Sequence, residues 1–403
     1  MMNGRVADVA IVGGGLAGGL IALAIHRANP ERQLLLIERD TVLGGNHRWS
    51  WFSSDLSPEG AALLEPFHQV HWDNGYEVRF PRYLRPLKAG YRSLASEDFD
   101  AALKRLLPPE ALRLGAAGAA LDAEGVTLES GERIAARTVI DCRSFAPSPH
   151  LLGGWQIFMG RHIALPAAHG VERPVIMDAT VAQNAPAGNG SAYRFVYVLP
   201  LAEREVFIED TYYAEAPQLD RQLLSGRLDQ YAAQHGWGDG APLGHETGVL
   251  PVITGGDFAA YLASIRIPGV AVAGARGGFT HPLTSYTVPI AVNNALAIAA
   301  RSDLTGTQLA SFCERRARAH WRKTGIYRGL GQMLFKAAEP ERRVDIFQRF
   351  YGLPEGLIER FYACRTTLPD KVRVLIGKPP VSIARAVRAL LGKGDPLTME
   401  KTR

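Results

Sequence analysis

The chain has 403 residues, enough for two or three domains at roughly 100–200 residues each. With 47% hydrophobic and 21% charged residues, its composition is typical of a globular fold with a sizeable core. No stretch reaches the roughly 18 uninterrupted apolar residues of a membrane-spanning helix, and no signal peptide precedes the first predicted strand. The three cysteines, Cys142, Cys313 and Cys364, have no metal-ligand spacing and form no disulfide framework, so a reducing cytosol is the expected compartment.

Charge is distributed unevenly along the chain. Residues 301–403 contain 21 Lys and Arg against 10 Asp and Glu, a net of +11, whereas the first 300 residues carry a net of −6. A basic C-terminal quarter on an acidic body indicates an anionic partner surface, either nucleic acid or acidic lipid. The alternative is that the charge only keeps the protein soluble.

The first predicted elements form a nucleotide-binding turn. Residues 9–12 are an apolar, partly β-branched run typical of a buried parallel strand, and a glycine-rich turn follows at once. Gly13 allows the tight turn, Gly15 lets the backbone approach a pyrophosphate, and Gly18 lets helix and strand pack closely. The candidate cofactor-binding residues of this turn are Gly13, Gly15, Leu16, Ala17 and Gly18.

A helix predicted over residues 19–28 leads to a second strand at residues 33–37, which ends in Glu38. Glu38 lies 20 residues after Gly18, where an acidic residue is expected to bind a ribose hydroxyl. The order strand, glycines, helix, strand and acid predicts a Rossmann dinucleotide site. We predict FAD rather than NAD because the motif lies near residue 1 and because the residues after Glu38 resemble the second loop of flavoproteins. Arg39 and Arg48 are the candidate contacts there.

A second flavin contact is predicted within residues 270–300. A short strand over 270–273 leads through a glycine-rich loop to a helix, whose N-terminus would favour the negative charge of a reduced flavin. The loop resembles a glycine-rich segment of flavin hydroxylases, except that Ala275, with Arg276 beside it, replaces the Asp that binds the ribityl chain there. The candidate contacts are Gly274, Gly277, Gly278, His281 and Pro282.

The middle of the chain is predicted to form an antiparallel sheet that holds a substrate against the flavin. Strands are expected at residues 155–159, 175–177, 193–199 and 205–209, and the last two are predicted to form a hairpin.

Two neighbouring acids, Glu209 and Asp210, follow the apolar run of the last strand. One interpretation is a pair of solvated strand-end carboxylates. The other is a carboxylic acid in an apolar pocket, where loss of water would raise its pKa and keep it protonated as a general acid.

These elements predict an α/β fold with three parts: a Rossmann-type FAD-binding domain, an inserted antiparallel β-sheet substrate domain and a helical C-terminal part. The expected boundaries are residues 1–65, 95–155 and 262–320 for the FAD-binding domain, 66–94 and 156–261 for the substrate domain, and 321–403 for the basic helical part.

Several short strings resemble those of bacterial lycopene β-cyclases, a family of the flavin hydroxylase-like Rossmann superfamily. They are LGGNHRWSW at residues 43–51, DCR at 141–143, IMDAT at 176–180, EDTYY at 209–213 and FTHPLTSY at 279–286. Together the matches span about residues 8–290.

The resemblance implies an enzyme that closes the ψ-ends of lycopene, a membrane-dissolved C40 polyene, into β-ionone rings, giving γ-carotene and then β-carotene. A proton adds to C2, C1 bonds to C6, and the ring cation loses a proton from C6, with no net redox change. The family needs reduced FAD, with NADPH as reductant, and other carotenoid enzymes are candidate partners. The resemblance makes Glu209 the proton donor or the acid that orders it, with Asp210 as second choice and reduced FAD as the alternative donor.

The basic C-terminal part contains a helix predicted over residues 303–323 and a final amphipathic segment at residues 381–391. In that final segment an apolar face is flanked by Arg385 and Arg388, which suits a membrane surface and would place the protein peripherally on the inner face of the membrane. An ordinary helix packed on the domain is the alternative. Nucleic acid is not expected, because no binding motif accompanies the charge. The apolar face consists of Ile383, Val387, Leu390 and Leu391.

Two further functions stay open at this point. An FAD-dependent monooxygenase or desaturase acting on a lipophilic isoprenoid could use the same scaffold, because one fold hosts many reactions. A non-catalytic lipid carrier would be expected to lose a complete FAD site, whereas Gly13, Gly15, Gly18 and Glu38 are all present.

Overall fold

The structure is a computed structural model that describes residues 6–183, 193–338, 342–376, 383–392 and 394–399. The strands, in chain order, are β1 Ala7–Val12, β2 Leu34–Ile37, β3 Arg48–Phe52, β4 Val70–Trp72, β5 Tyr76–Phe80, β6 Tyr83–Leu87, β7 Tyr91–Ala95, β8 Leu112–Arg113, β9 Gly118–Asp122, β10 Gly125–Leu128, β11 Arg133–Asp141, β12 Ser148–Ala164, β13 Val175–Asp178, β14 Tyr193–Ala202, β15 Glu205–Ala214, β16 Ala241–Gly256, β17 Val270–Val272 and β18 Asp395–Leu397.

The helices, in chain order, are α1 Leu16–Ala28, α2 Pro58–Leu64, α3 Ser96–Leu106, α4 Arg221–Gln234, α5 Phe258–Ile265, α6 Val288–Ala299, α7 Gly306–Lys323, α8 Gly325–Lys336, α9 Arg343–Tyr351, α10 Glu355–Tyr362, α11 Leu368–Leu375 and α12 Ile383–Leu391. Within the described residues, none of these helices is both long enough and apolar enough to span a bilayer.

A seven-stranded sheet carries the predicted Rossmann unit. Its parallel part has the order β8-β2-β1-β11-β17, and the antiparallel strands β10 and β9 extend β11. The helices α1 and α6 pack on this sheet and bury Leu20, Ile21 and Val292 against it. Because β1, β2 and β11 run parallel, their carboxyl ends meet at one edge, where α/β sheets bind ligands.

The middle of the chain forms the predicted antiparallel sheet, with the order β16-β12-β15-β14-β13-β5-β6. One pair in it, β13 with β5, is parallel, and β18 adds to the sheet beside β12. The expected hairpin is present as β14 and β15. The strand β12, which spans Ser148–Ala164, runs unbroken through the predicted domain boundary at 155–156 and pairs with both β15 and β16. A third, small sheet has the order β3-β7-β4.

The C-terminal helices cover the second sheet rather than standing apart from it. Tyr193 of β14 stacks on Phe347 of α9 with ring centroids 4.0 Å apart, and Tyr213 of β15 contacts Phe335 of α8. The aromatic residues that the sequence shows between the C-terminal charges therefore belong mostly to a buried core.

Candidate functional site

A cleft of about 950 Å³ lies between the Rossmann sheet and the antiparallel sheet. Its volume is at the upper end of the roughly 300–1,000 Å³ of small-molecule and cofactor sites. One half is lined by the β1–α1 turn and the end of β2, and the other half by the facing sides of β12, β15 and β16. Residues from both sheets therefore contribute to one continuous site.

The glycine turn after β1 has the close contacts that its sequence predicts. A side chain on Gly13 would lie 2.6 Å from the Cys142 carbonyl oxygen, and one on Gly18 would lie 1.9 Å from the Gly13 carbonyl oxygen. At Gly15, in contrast, nothing lies within 4 Å of the position of a side chain, and Gly15 lines the cleft. Leu16 and Ala17 line it as well. The space beside Gly15 and the start of α1 can therefore take an anionic group close to the backbone.

Glu38 extends from the end of β2 into the same half of the cleft. Its Oε2 accepts a hydrogen bond of 2.6 Å from the backbone N–H of Gly14, which holds the carboxylate beside the turn. Arg39 and Arg48 also line the cleft. Arg48 has its guanidinium 5.4 Å from the ring centre of Phe207, toward the antiparallel sheet.

The structure places only some residues of the predicted second flavin contact in the cleft. Gly274 lines the cleft with Ala275 and Arg276, whereas Gly277 and Gly278 shape the turn behind it. Gly278 has a φ of 77° in that turn, which favours glycine.

His281 and Pro282 lie outside the cleft lining, and they do not begin a helix. The ring of His281 is fully buried between the carbonyl oxygen of Phe361 and the backbone N–H groups of Leu283 and Thr284, and burial lowers its pKa to about 3. The next helix, α6, begins only at Val288, and Val288 itself lines the cleft. The ring therefore holds backbone groups of the segment between His281 and α6.

Asp141, at the carboxyl end of β11, carries an ion-pair network that sequence reasoning missed. Arg143 donates two hydrogen bonds to its carboxylate, at 2.9 and 2.8 Å, and Arg276 pairs with it at 3.0 Å. Asp141 is fully buried, while both arginines line the cleft. Arg276 follows Ala275, the residue that replaces the ribityl-binding Asp of flavin hydroxylases. Its side chain is thus held by Asp141 from the neighbouring strand.

Glu209 lies on the cleft face of β15, in the wall formed by the antiparallel sheet. It is 9% exposed, and its Oε1 accepts a 2.8 Å hydrogen bond from the hydroxyl of Thr211. Burial, and next the charge of Glu246, raise the pKa of Glu209 well above its usual range. A raised pKa favours the protonated form of a carboxyl, so the surroundings of Glu209 favour its neutral acid form.

Asp210, its neighbour in sequence, points to the opposite face of the sheet because side chains alternate along a strand. It does not line the cleft. Its carboxylate instead forms a buried ion pair with Arg194 of β14, with hydrogen bonds of 2.9 and 3.0 Å from Nε. The two acids therefore have separate roles, and only Glu209 faces a ligand.

Glu246 is a second acid in the sheet half of the cleft, and no sequence motif indicated it. It is 5% exposed, its Oε2 accepts a 3.0 Å hydrogen bond from the Arg48 backbone N–H, and its Oε1 lies 3.4 Å from His47 Nδ1. In the sequence, Glu246 is a single acidic residue without a motif around it, and such a residue cannot be distinguished from a solvent-exposed acid.

Aromatic rings line the remainder of the sheet half of the cleft. The hydroxyls of Tyr91 and Tyr286 form a hydrogen bond of 2.5 Å, which leaves the rings as an apolar surface. The aromatic lining residues are Trp49, Tyr91, Phe145, Trp155, Phe158, Tyr197, Phe207, Phe279 and Tyr286. The cleft thus combines a glycine-turn end suited to a dinucleotide with an apolar end that contains a carboxyl group with a raised pKa.

Comparison with known proteins gives matches to one family over almost the whole chain. The family described as lycopene cyclase protein matches residues 8–388. A lycopene beta-cyclase of Pseudescherichia vulneris is 43% identical over 384 residues, covering 95% of this chain and 97% of that protein. Lycopene beta-cyclases of Pantoea ananas and of a Paracoccus strain are each 40% identical over 384 residues, with 98% and 97% of those proteins covered.

Solved structures share the fold at low identity. A geranylgeranyl bacteriochlorophyll reductase-like protein of Thermoplasma acidophilum has a TM-score of 0.59 at 14% identity, covering 96% of this chain and 99% of that one. A flavin-dependent halogenase of Xanthomonas campestris has a TM-score of 0.55 at 14% identity, covering 96% and 94%. The predicted fold class, a Rossmann-type unit with an inserted antiparallel sheet, is therefore confirmed.

Proposed function

Because the chain belongs to the lycopene cyclase family, we propose that it is a lycopene β-cyclase, an FAD-dependent enzyme that closes the ψ-ends of lycopene into β-ionone rings without net redox change. The observation that carries this proposal is Glu209. It is a buried carboxyl with a raised pKa that faces a cleft with a dinucleotide-type turn at one end and aromatic walls at the other.

FAD fits the turn end of the cleft. Gly15 leaves open space for a pyrophosphate at the start of α1, and Glu38 stands where a ribose hydroxyl would bind. When bound and reduced, FAD would supply negative charge that stabilises a nearby carbocation. NADPH is the proposed electron donor; the support for it is the requirement of this family for reduced FAD.

Glu209 is the proposed proton donor to C2 of the polyene. Alkene protonation needs an acid that is protonated at neutral pH and closely positioned, and burial of Glu209 supplies the first condition. Thr211 holds one carboxyl oxygen by its hydrogen bond and so fixes the orientation of the other.

The aromatic side chains of the sheet half of the cleft form an aromatic wall, and its proposed task is to exclude water. A ring cation that meets water becomes an alcohol, so the cation must form in a dry site. Trp155, Phe158, Tyr197 and Phe207 surround the Glu209 side of the cleft with apolar surface. Their faces also carry partial negative charge, which favours a neighbouring cation.

The proposed location is the cytoplasm, at the inner face of the membrane in which lycopene dissolves. Two helices support this proposal by their exposed apolar side chains. On α12, Leu391 is 83% exposed, and Val387 and Leu390 are half-exposed, while Ala389 packs inward. On α11, sequence reasoning missed a similar face that contains Leu368 and Leu375. Lys371, Arg373, Arg385 and Arg388 lie on the same two helices and complement an anionic lipid surface.

The product of the reaction tests the function directly. Lycopene-loaded vesicles with FAD and NADPH under nitrogen should yield a product of unchanged mass with a shortened chromophore. A gain of one oxygen atom only after air is admitted would instead identify a monooxygenase. A loss of two hydrogen atoms would identify a desaturase, and either result would overturn the proposal.

The substitution Gly15→Ala tests the cofactor site. The added methyl group meets no protein atom within 4 Å, so the fold should be unaffected, but it would occupy the space proposed for the pyrophosphate. We expect Gly15→Ala to bind FAD at least about tenfold more weakly, a cost of about 1.4 kcal/mol in binding, and to retain less flavin per chain than the wild type after purification. Gly244→Ala is the matched control, because its methyl group also meets nothing within 4 Å and lies outside the cleft. Equal flavin content in both variants would contradict the assignment.

Glu209→Gln and Asp210→Asn should separate catalysis from stability. Without its acid, Glu209→Gln should lose at least about 100-fold in kcat while it keeps flavin and thermal stability. Asp210→Asn leaves Arg194 buried without its counter-charge, so it should lower the free energy of unfolding by roughly 3–5 kcal/mol. Turnover and urea denaturation of both variants check this. Near-wild-type turnover by Glu209→Gln with intact flavin would exclude Glu209 as the donor.

Membrane docking is tested by the combined substitution of Val387, Leu390 and Leu391 by Ser. Because these side chains would enter the lipid interface, binding to vesicles rich in phosphatidylglycerol should fall at least about tenfold. The control replaces Leu84 and Leu243, which are 57% and 53% exposed on other elements, by Ser. An equal effect of both sets in co-sedimentation would refute docking through α12.

A further inference from the structure

Strand register places Glu209 and Glu246 in one row of the antiparallel sheet. Gly160 of β12 pairs with Glu209 of β15 on one side and with Glu246 of β16 on the other. Directly paired residues share a face, and both acids line the cleft. Two strand spacings separate their Cα atoms by roughly 9–10 Å. The middle position of the row is a glycine, so it contributes no side chain between the two carboxyls.

The surroundings of the two carboxyls differ in their hydrogen-bond donors. Glu246 accepts a hydrogen bond from the Arg48 backbone N–H and contacts His47, whose side chain is 40% exposed. Donated hydrogen bonds of this kind stabilise a carboxylate. Glu209, in contrast, has the Thr211 hydroxyl as its one hydrogen-bond donor among the described residues and lies deep in the wall. Neighbouring acids whose surroundings separate them in this way commonly divide the acid and base roles between them.

The ring of Phe207 keeps the two acids apart. A side chain on Gly160 would lie 2.2 Å from the Phe207 ring, so that ring covers the middle of the row. Within the described residues, no hydrogen bond joins Glu209 to Glu246. A proton therefore has no direct path from one carboxyl to the other, and each can keep its own role during a turnover.

We infer that Glu246 is the proton acceptor of the cyclisation, and that its position selects the β-ring; this inference rests on the proposed function. The Glu209 O–H bond breaks as its proton adds to C2, and the C5=C6 electrons form the C1–C6 bond, which leaves the positive charge on C5. The C6–H bond then breaks, its electrons form the C5=C6 double bond of the β-ring, and the proton goes to Glu246. Glu246 then releases a proton to solvent past His47, and Glu209 takes one up, so the proton balance closes.

The proton that the ring cation loses decides which type of ring is formed. The cation on C5 can lose a proton from C6, from C4 or from the attached methyl group, and these losses give a β-ring, an ε-ring or an exocyclic double bond respectively. Protonation at C2 and ring closure are complete before this choice is made. A base placed across the wall from the donor can favour one of the three protons, and removal of that base leaves the other two losses available.

The test compares Glu246→Gln with Glu246→Asp in the vesicle assay under nitrogen. The measured quantity is the share of β-rings among all cyclised ends, determined by chromatography and nuclear magnetic resonance of the products. We expect Glu246→Gln to make β-rings at least about tenfold more slowly, in the range lost with one general base. The other ring types, or an alcohol that has gained one water, should make up most of its cyclised ends. Glu246→Asp keeps a carboxylate and should restore most of the β-ring share.

Three results would overturn the inference. One is an unchanged β-ring share in Glu246→Gln, whatever its rate, because a role only in holding Arg48 would slow turnover without altering which proton leaves. Another is the absence of any cyclised end in both variants, because loss of a base alone leaves ring closure intact. The third is an equal shift in the control Glu205→Gln, which breaks a comparable contact of 3.0 Å to His162 on the same sheet but outside the cleft. A wild-type enzyme that forms no rings would instead contradict the proposed function itself.

Discussion

The structure depends on the burial of one carboxyl group, that of Glu209, in the wall of an antiparallel sheet. A buried carboxyl without a cationic partner is stable only in its protonated form, since transfer of its charge out of water costs far more than transfer of the neutral acid. Glu209 and Asp210 show the contrast side by side. Asp210 is also buried, but it keeps its charge against Arg194, and it serves the sheet rather than the cleft.

The same burial that raises the pKa of Glu209 would also protect the reaction proposed for it. An aromatic wall that raises the pKa of an acid also excludes the water that would trap a carbocation. The C-terminal helices extend this wall on the same face of the sheet, since Phe347 stacks on Tyr193, which shares its face of β14 with the cleft-lining Tyr197. That part of the chain therefore combines a packed aromatic layer with two helices that keep apolar residues exposed.

The turn at Gly13 to Gly18 and the acid at Glu38 were predictable because their chemistry is local: a strand, a tight turn and a helix within about 30 residues. Glu246 was not predictable in this way. Its role depends on the pairing of β12 with β15 and β16, which joins residues 160, 209 and 246 across long separations in sequence. His281 was predicted as a flavin contact from its loop, but its ring is used to hold backbone groups of the following segment.

The fold alone does not distinguish this protein from flavin-dependent halogenases, whose structures superpose on nearly the whole chain. The glycine-turn half of the cleft is suited to the cofactor and is independent of the chemistry. The sheet half has to supply the groups that distinguish one reaction from another. Here it presents a row of Glu209, Gly160 and Glu246, of which Glu246 accepts a hydrogen bond from the Arg48 backbone. A reaction that adds one proton and removes another needs both groups within reach of one ring. Gly160 leaves the space between them free of a side chain of its own, and an apolar ring occupies that space instead of water.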